Sequence, residues 1–235
     1  MYDEVYHKWY SPKIGRDFEM LVFGHGGIPV VLFPTSQGRY YEAKDRGMVG
    51  AAGWFLDNGM FKIYCPDSID ADSWYNKSAP AWVRPANHNL YDALILDEVL
   101  GRAFYETGNH RAVTAGCSFG GYHAANFAFR HPGKVQAMLS MSGIFDMRAQ
   151  LDGYYDDNVF YNNPVDYLPN DDNPELWRMK IALGTAERDI CLGYNYEMAD
   201  ILSKKNIAYW LDVEPNEKHD WSLWLKQFPK YLSLI

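Results

Sequence analysis

The sequence predicts an α/β domain: a mostly parallel central sheet with an antiparallel N-terminal edge and helices on both faces. Three observations support this. Short, continuously apolar β-rich runs alternate with helical stretches, which is how parallel strands buried on both faces read. No repeat, low-complexity tract or linker divides the 235 residues, and one α/β unit can reach that length, so residues 1–235 read as one domain. The pentapeptide Gly116-Cys117-Ser118-Phe119-Gly120 stands between a β-run and a helix former.

Taken in order, Phe18–Phe23 and Ile28–Phe33 are apolar runs on either side of Gly24-His25-Gly26-Gly27, a hairpin signal. A helix over about Met48–Asn58 leads to a strand at Phe61–Cys65, and a longer helix over about Leu90–Glu106 leads to Ala112–Ala115. A helix over Gly120–Arg130 and a strand at Val135–Met141 follow. Strands at Met179–Leu183 and Ala208–Val213 flank a helix near Tyr194–Lys205, and Trp221–Leu234 is the last helix. The Tyr-, Asp- and Asn-rich stretch over about 147–175, with Pro164, Pro169 and Pro174, reads as a long irregular, lid-like insertion, and such loops tend to be functional.

Composition narrows the classes. Thirty Asp and Glu against 22 Lys and Arg give a net charge of −8. With a pI near 5.3, such a surface repels phosphate backbones, so nucleic acid is not an expected partner. Mean hydropathy is −0.36, and no apolar run approaches the roughly 20 residues of a membrane span. The opening MYDEVYHKWY has neither the basic nor the apolar region of a secretory signal. Cys65, Cys117 and Cys191 match neither a disulfide framework nor a zinc spacing, which suits a reducing compartment. Cytoplasmic localisation is the expectation. Aromatic residues make up 16% of the chain, enough to suggest an aromatic-lined cleft.

Gly-x-Ser-x-Gly has a physical logic. A serine on a very tight strand-to-helix turn is strained, and glycines two positions before and after remove the collisions that side chains would cause. The turn exposes the hydroxyl above the sheet and aims helix N-terminal N–H groups at a developing oxyanion. Ser118 is therefore the expected nucleophile. It needs a base that is itself oriented. Of the seven histidines, His219 lies after the last strand, where such a base belongs. His25 and His110 belong to the other end of the sheet, His123 and His131 flank the helix after Ser118, and His7 and His88 lack context. The orienting acid is expected after the penultimate strand, where Asp189 is favoured over Glu187. Asp146, after the strand that follows the serine helix, is a second rival. The chain order Ser118, Asp189, His219 is that of α/β-hydrolases.

Two donors are expected for the oxyanion: the backbone N–H of Phe119 and one from the Pro34–Gly38 loop. There Ser36 is preferred, with Thr35 and Gln37 close behind. Gly24–Gly27 looks like an esterase His-Gly-Gly-Gly motif but precedes the third strand, so it reads as a turn. Gln37, Tyr122, Trp221 and Tyr161 are expected to line the substrate cleft, together with Tyr154, Tyr155 and Phe160. Cys117 should point into the packing and stay inert.

The elbow Gly116–Gly121, the turn Gly184–Asp189 and the segment His219-Asp220-Trp221-Ser222-Leu223-Trp224 together resemble the esterase D branch of the α/β-hydrolases. That branch also holds enterochelin, feruloyl and acetylxylan esterases and the mycolyltransferases. Asp72–Asn76 and Tyr161–Pro164 resemble segments of compact bacterial esterases of the branch. Where many relatives carry His-Gly or Asp-Gly at the oxyanion loop, this chain has Pro34-Thr35. The resemblance implies an α/β-hydrolase fold and hydrolysis of a small-molecule carboxylic ester through an acyl-enzyme, with no metal or organic cofactor. A homodimer is a further expectation. Acyl transfer to an alcohol by the same triad, or a non-catalytic binding protein on this fold, are the alternatives. An imidazole acting as base must be neutral, so activity is expected to fall below about pH 6 to 7.

Overall fold

The computed structural model describes residues 2–235. Its single eight-stranded sheet consists of β1 Glu4–Ser11, β2 Arg16–Phe23, β3 Ile28–Phe33, β4 Phe61–Pro66, β5 Ala112–Cys117, β6 Val135–Met141, β7 Lys180–Arg188 and β8 Trp210–Lys218. Their order across the sheet is β1-β2-β4-β3-β5-β6-β7-β8. β1 with β2 and β2 with β4 are antiparallel, and every later pairing is parallel. This is the expected parallel sheet with an antiparallel N-terminal edge.

Alternation along each strand splits the apolar side chains between two layers. On β3, Val31 and Phe33 join the cluster under the helices Val83–Leu94, Leu100–Thr107, Phe119–Arg130 and Leu192–Lys204. Val30 and Leu32 join the opposite cluster, closed by the short helices Met48–Ala51 and Gly53–Asp57 and by the C-terminal helix Trp221–Leu232. Among the described residues no helix is long and apolar enough to cross a membrane.

Several expectations need correction. β2 and β3 do not form a hairpin, because β4 lies between them. The hairpin partner of β2 is β1, joined by a tight turn in which the Gly15 N–H donates to the Ser11 carbonyl at 2.9 Å. β1 escaped the sequence reading because its apolar residues fall in adjacent pairs, Val5-Tyr6 and Trp9-Tyr10, while the face it packs inward is His7, Trp9 and Ser11, so the hydrophobic pattern does not alternate with the burial. The Gly24–Gly27 turn sits at the beginning of β3, with the Ile28 N–H donating to the Met60 carbonyl, so it lies at the end of the sheet away from Ser118. The helix expected over Met48–Asn58 is two short helices. The helix expected from Leu90 begins at Val83, with Pro85 in the first turn, where a missing N–H costs no bond. It continues through a π turn, Ile95–Val99, to Thr107 and closes on Gly108 at φ 69°. The 147–175 stretch consists of short helical turns. Its Met147, Leu151 and Val159 pack in one buried cluster with Trp74, Phe119 and Tyr122, against the start of the helix that follows Ser118.

Gly120 lets that helix approach the end of β3. A Cβ built there would stand 2.5 Å from the Pro34 carbonyl oxygen and 2.6 Å from that of Phe33. Both are backbone atoms that cannot swing away. Gly120→Ala should therefore lower stability by about 1–3 kcal/mol, read from the urea midpoint. Gly133→Ala, whose added Cβ meets nothing within 4 Å, should stay within about 0.5 kcal/mol of wild type.

Candidate active site

β5 to β8 are parallel neighbours, so their C-terminal ends open on one side of the sheet. Ser118 directly follows β5, Asp189 follows β7 and His219 follows β8. Ser118 is held at φ 55°, ψ −120°, a left-handed conformation strained for a residue with a side chain. Its N–H donates to the Met141 carbonyl at 2.8 Å. Gly116 makes the bend possible: a Cβ there would lie 2.1 Å from the Gly120 carbonyl oxygen.

The three side chains form one hydrogen-bonded chain. His219 Nε2 is 3.0 Å from Ser118 Oγ, and His219 Nδ1 is 2.8 Å from Asp189 Oδ1. An ionised carboxylate only accepts, so the Nδ1 proton points to Asp189 and Nε2 is left to accept from the serine hydroxyl. Asp189 is buried and fully occupied. Oδ1 also accepts from the Cys191 N–H at 2.8 Å, while Oδ2 accepts from Ser142 Oγ and, at 3.2 Å, from Thr185 Oγ1. Burial pushes its pKa up, but the hydrogen bonds from His219, Ser142 and Cys191 outweigh that and hold the carboxyl below its ordinary range. The rival acids are engaged elsewhere. Glu187 accepts from the Asn216 N–H at 2.9 Å, and Asp146 pairs with Arg148 at 2.6 Å.

Sequence reasoning missed two supporting residues. Trp224 sets its ring at right angles to His219, with centroids 5.0 Å apart, and donates its indole N–H to Ser142 Oγ at 2.8 Å. Ser142, itself at φ 55°, passes that contact on to Asp189. The clue was its place at the end of β6, one strand from the nucleophile.

At the loop after β3, the Thr35 N–H donates to Glu42 at 2.8 Å and the Gln37 N–H to Asp70 at 2.9 Å. Of the three candidate amides, this leaves that of Ser36. Phe119 opens its helix, so its N–H has no partner within the helix.

Three expected cleft residues, Tyr122, Tyr161 and Phe160, lie elsewhere. Tyr122 is fully buried and donates to the Asn162 carbonyl at 2.8 Å, so it faces the core. Tyr161 is exposed, in a groove with Arg130, Phe160 and Tyr167 alongside the helix Phe119–Arg130, and Ser118 does not line that groove. Its sequence position in the insertion did not reveal which groove its ring would line. Gln37 lines a groove with Arg39, Tyr41 and Arg46. Trp221 stands 5.0 Å from Trp224, and the Arg46 guanidinium lies 5.5 Å above its ring.

Asp189, Cys191 and His219 present atoms close enough to share an ion. Yet burial pushes the Cys191 thiol up to about 12, so it stays protonated, and the carboxylate and imidazole are committed to each other. Cys117 is buried, with its thiol pushed well above the ordinary range by burial, the state of an inert cysteine.

A carboxyl held below its ordinary value stabilises the fold fully above about pH 4. That contribution is lost as pH falls through the depressed folded value. Asp189→Asn should therefore show a shallower loss of melting temperature below about pH 4 than wild type, and parallel profiles would contradict the assigned hydrogen bonds.

No family model matches the chain, and no curated protein matches it. Solved structures do. A ferulic acid esterase superposes with a TM-score of 0.81 at 17% identity, over 100% of this chain and 98% of that one. The S-formylglutathione hydrolase of Staphylococcus aureus gives 0.76 at 16%, over 100% and 96%. A fluorophosphonate-binding serine hydrolase of the same organism gives 0.78 at 15%, over 99% and 98%. At these identities the likeness is one of fold, and the fold that this chain shares with those enzymes, end to end, is the α/β-hydrolase fold.

Proposed function

We propose that the protein is a serine carboxylic-ester hydrolase acting on a small-molecule ester through an acyl-enzyme. The observation that carries this reading is the unbroken contact from Ser118 Oγ through His219 to Asp189, 3.0 Å and 2.8 Å long, on a fold shared with named esterases. Ser118 attacks the acyl carbon while His219 Nε2 takes its proton. Asp189 keeps the imidazole in the tautomer that can do so and stabilises the imidazolium that forms. The tetrahedral oxyanion is met by the Phe119 and Ser36 N–H groups. His219 then returns the proton to the leaving alcohol, and a water activated by the same base releases the acid.

The Trp221 ring, packed against Trp224 and flanked by Arg46, offers the flat apolar wall expected for the substrate.

Ser118→Ala should lower the hydrolysis of a short p-nitrophenyl ester by a factor of about 10⁴ to 10⁶ while leaving the melting temperature near that of wild type. A variant that keeps most of the activity would refute the proposal.

A further inference from the structure

The Pro34–Gly38 loop is held more firmly than a surface turn requires. The Gly38 N–H donates to the Thr35 carbonyl at 2.8 Å, closing a β-turn. Its third residue, Gln37, sits at φ 55° while Ser36 does not have a positive φ. That is the signature of a type II turn, which normally takes Gly or Asn at this position. A glutamine there is strained and persists only if its surroundings impose it.

Three anchors impose it. Glu42 takes the Thr35 N–H and Oγ1, each at 2.8 Å. The Tyr75 hydroxyl donates to Ser36 Oγ at 2.8 Å, and its ring stands edge-on to Phe119 at 5.1 Å. Asp70 Oδ2 takes the Gln37 N–H at 2.9 Å. The last contact is unusual because Asp70 is 1% exposed. Its other oxygen, Oδ1, is 2.9 Å from Nε2 of His123, itself 2% exposed, on the helix that begins right after Ser118. His123 packs edge-on to Phe119 at 4.9 Å and stacks on Phe33 at 5.7 Å. A buried carboxylate is costly unless fully hydrogen-bonded. Here its two partners belong to the two elements whose spacing fixes the distance between the Phe119 and Ser36 amides.

We propose that Asp70, oriented by His123, and Tyr75 are positioning residues that lock the Thr35–Gly38 turn so that the Ser36 N–H meets the oxyanion in register with that of Phe119. The inference rests on the esterase reading above and deepens it. It also gives a role to Tyr75 in the Asp72–Asn76 segment. Neither Asp70 nor Tyr75 need touch the substrate. Each constrains a turn whose peptide plane would otherwise be free to flip, and a donor rotated away is worth no more than a donor removed.

An oxyanion donor discriminates oxygen from sulfur, because sulfur accepts hydrogen bonds weakly. Asp70→Asn and Tyr75→Phe should be compared with wild type on p-nitrophenyl acetate and on its thiono analogue, in which sulfur replaces the carbonyl oxygen. For the oxygen ester, Asp70→Asn should lower kcat by about 10- to 100-fold with KM within about threefold. The thiono ester should slow far less, so the ratio of the two rates collapses. Tyr75→Phe, at a half-buried position and removing one hydroxyl, should shift the ratio in the same direction by about threefold and decides the matter if Asp70→Asn fails to fold. Equal losses on both esters, or an unchanged ratio in a folded variant, would overturn the proposal. A wild-type chain inert toward both esters would instead overturn the hydrolase reading, and this inference with it.

Discussion

The site depends on one backbone conformation, Ser118 at φ 55° and ψ −120°. Only that bend lifts the hydroxyl clear of β5 and starts a helix at the next residue. The bend exists because Gly116 and Gly120 carry no Cβ where one would meet backbone carbonyls at 2.1 and 2.5 Å. Every other feature is arranged around it. The parallel strands β5 to β8 end on the same side, so single residues after β7 and β8 reach the serine without long excursions of the chain. This is the general advantage of open parallel sheets, whose strand ends gather distant sequence at one place.

Strain is concentrated there. Six described residues other than glycine have positive φ, and Asp152, Asn206 and Asn216 are types that tolerate it. The remaining three are Gln37, Ser118 and Ser142, which stand in the turn after β3, at the strand-to-helix elbow and beside Asp189. Each is held by a hydrogen bond from its own backbone N–H: Gln37 to Asp70, Ser118 to Met141 and Ser142 to Gly184. The acid is fixed in a similar way. With four donors around one buried carboxylate, Asp189 stays ionised and holds the His219 ring through Nδ1; in the proposed reaction this leaves little reorganisation.

How much of this could be read from the chain follows from which forces are local. The elbow was legible because its glycines answer a steric demand within five residues. Asp189 and His219 were legible because strand ends are marked by the apolar runs before them. β1 was hidden because only Trp9 of its apolar residues lies on the inward face beside His7 and Ser11, and the supposed β2–β3 hairpin failed because pairing is decided by β4, nearly thirty residues further on. Tyr122 and Tyr161 show the other limit. An aromatic residue beside a motif can point into the core, and one in the insertion can line another groove, and only packing decides which. Ser142, Trp224, Asp70 and Tyr75 touch the proposed site residues or the turn after β3 from distant segments, so no spacing rule exposes them.

The central claim is that Ser118 is a nucleophile activated by His219 and Asp189. It is tested most directly by treating the protein with a fluorophosphonate and locating the adduct by peptide mass spectrometry. The account predicts a single phosphonyl group on Ser118, formed rapidly in wild type and at a strongly reduced rate in His219→Ala. An adduct on another residue, or an unlabelled Ser118 in a preparation that still hydrolyses the ester, would contradict it.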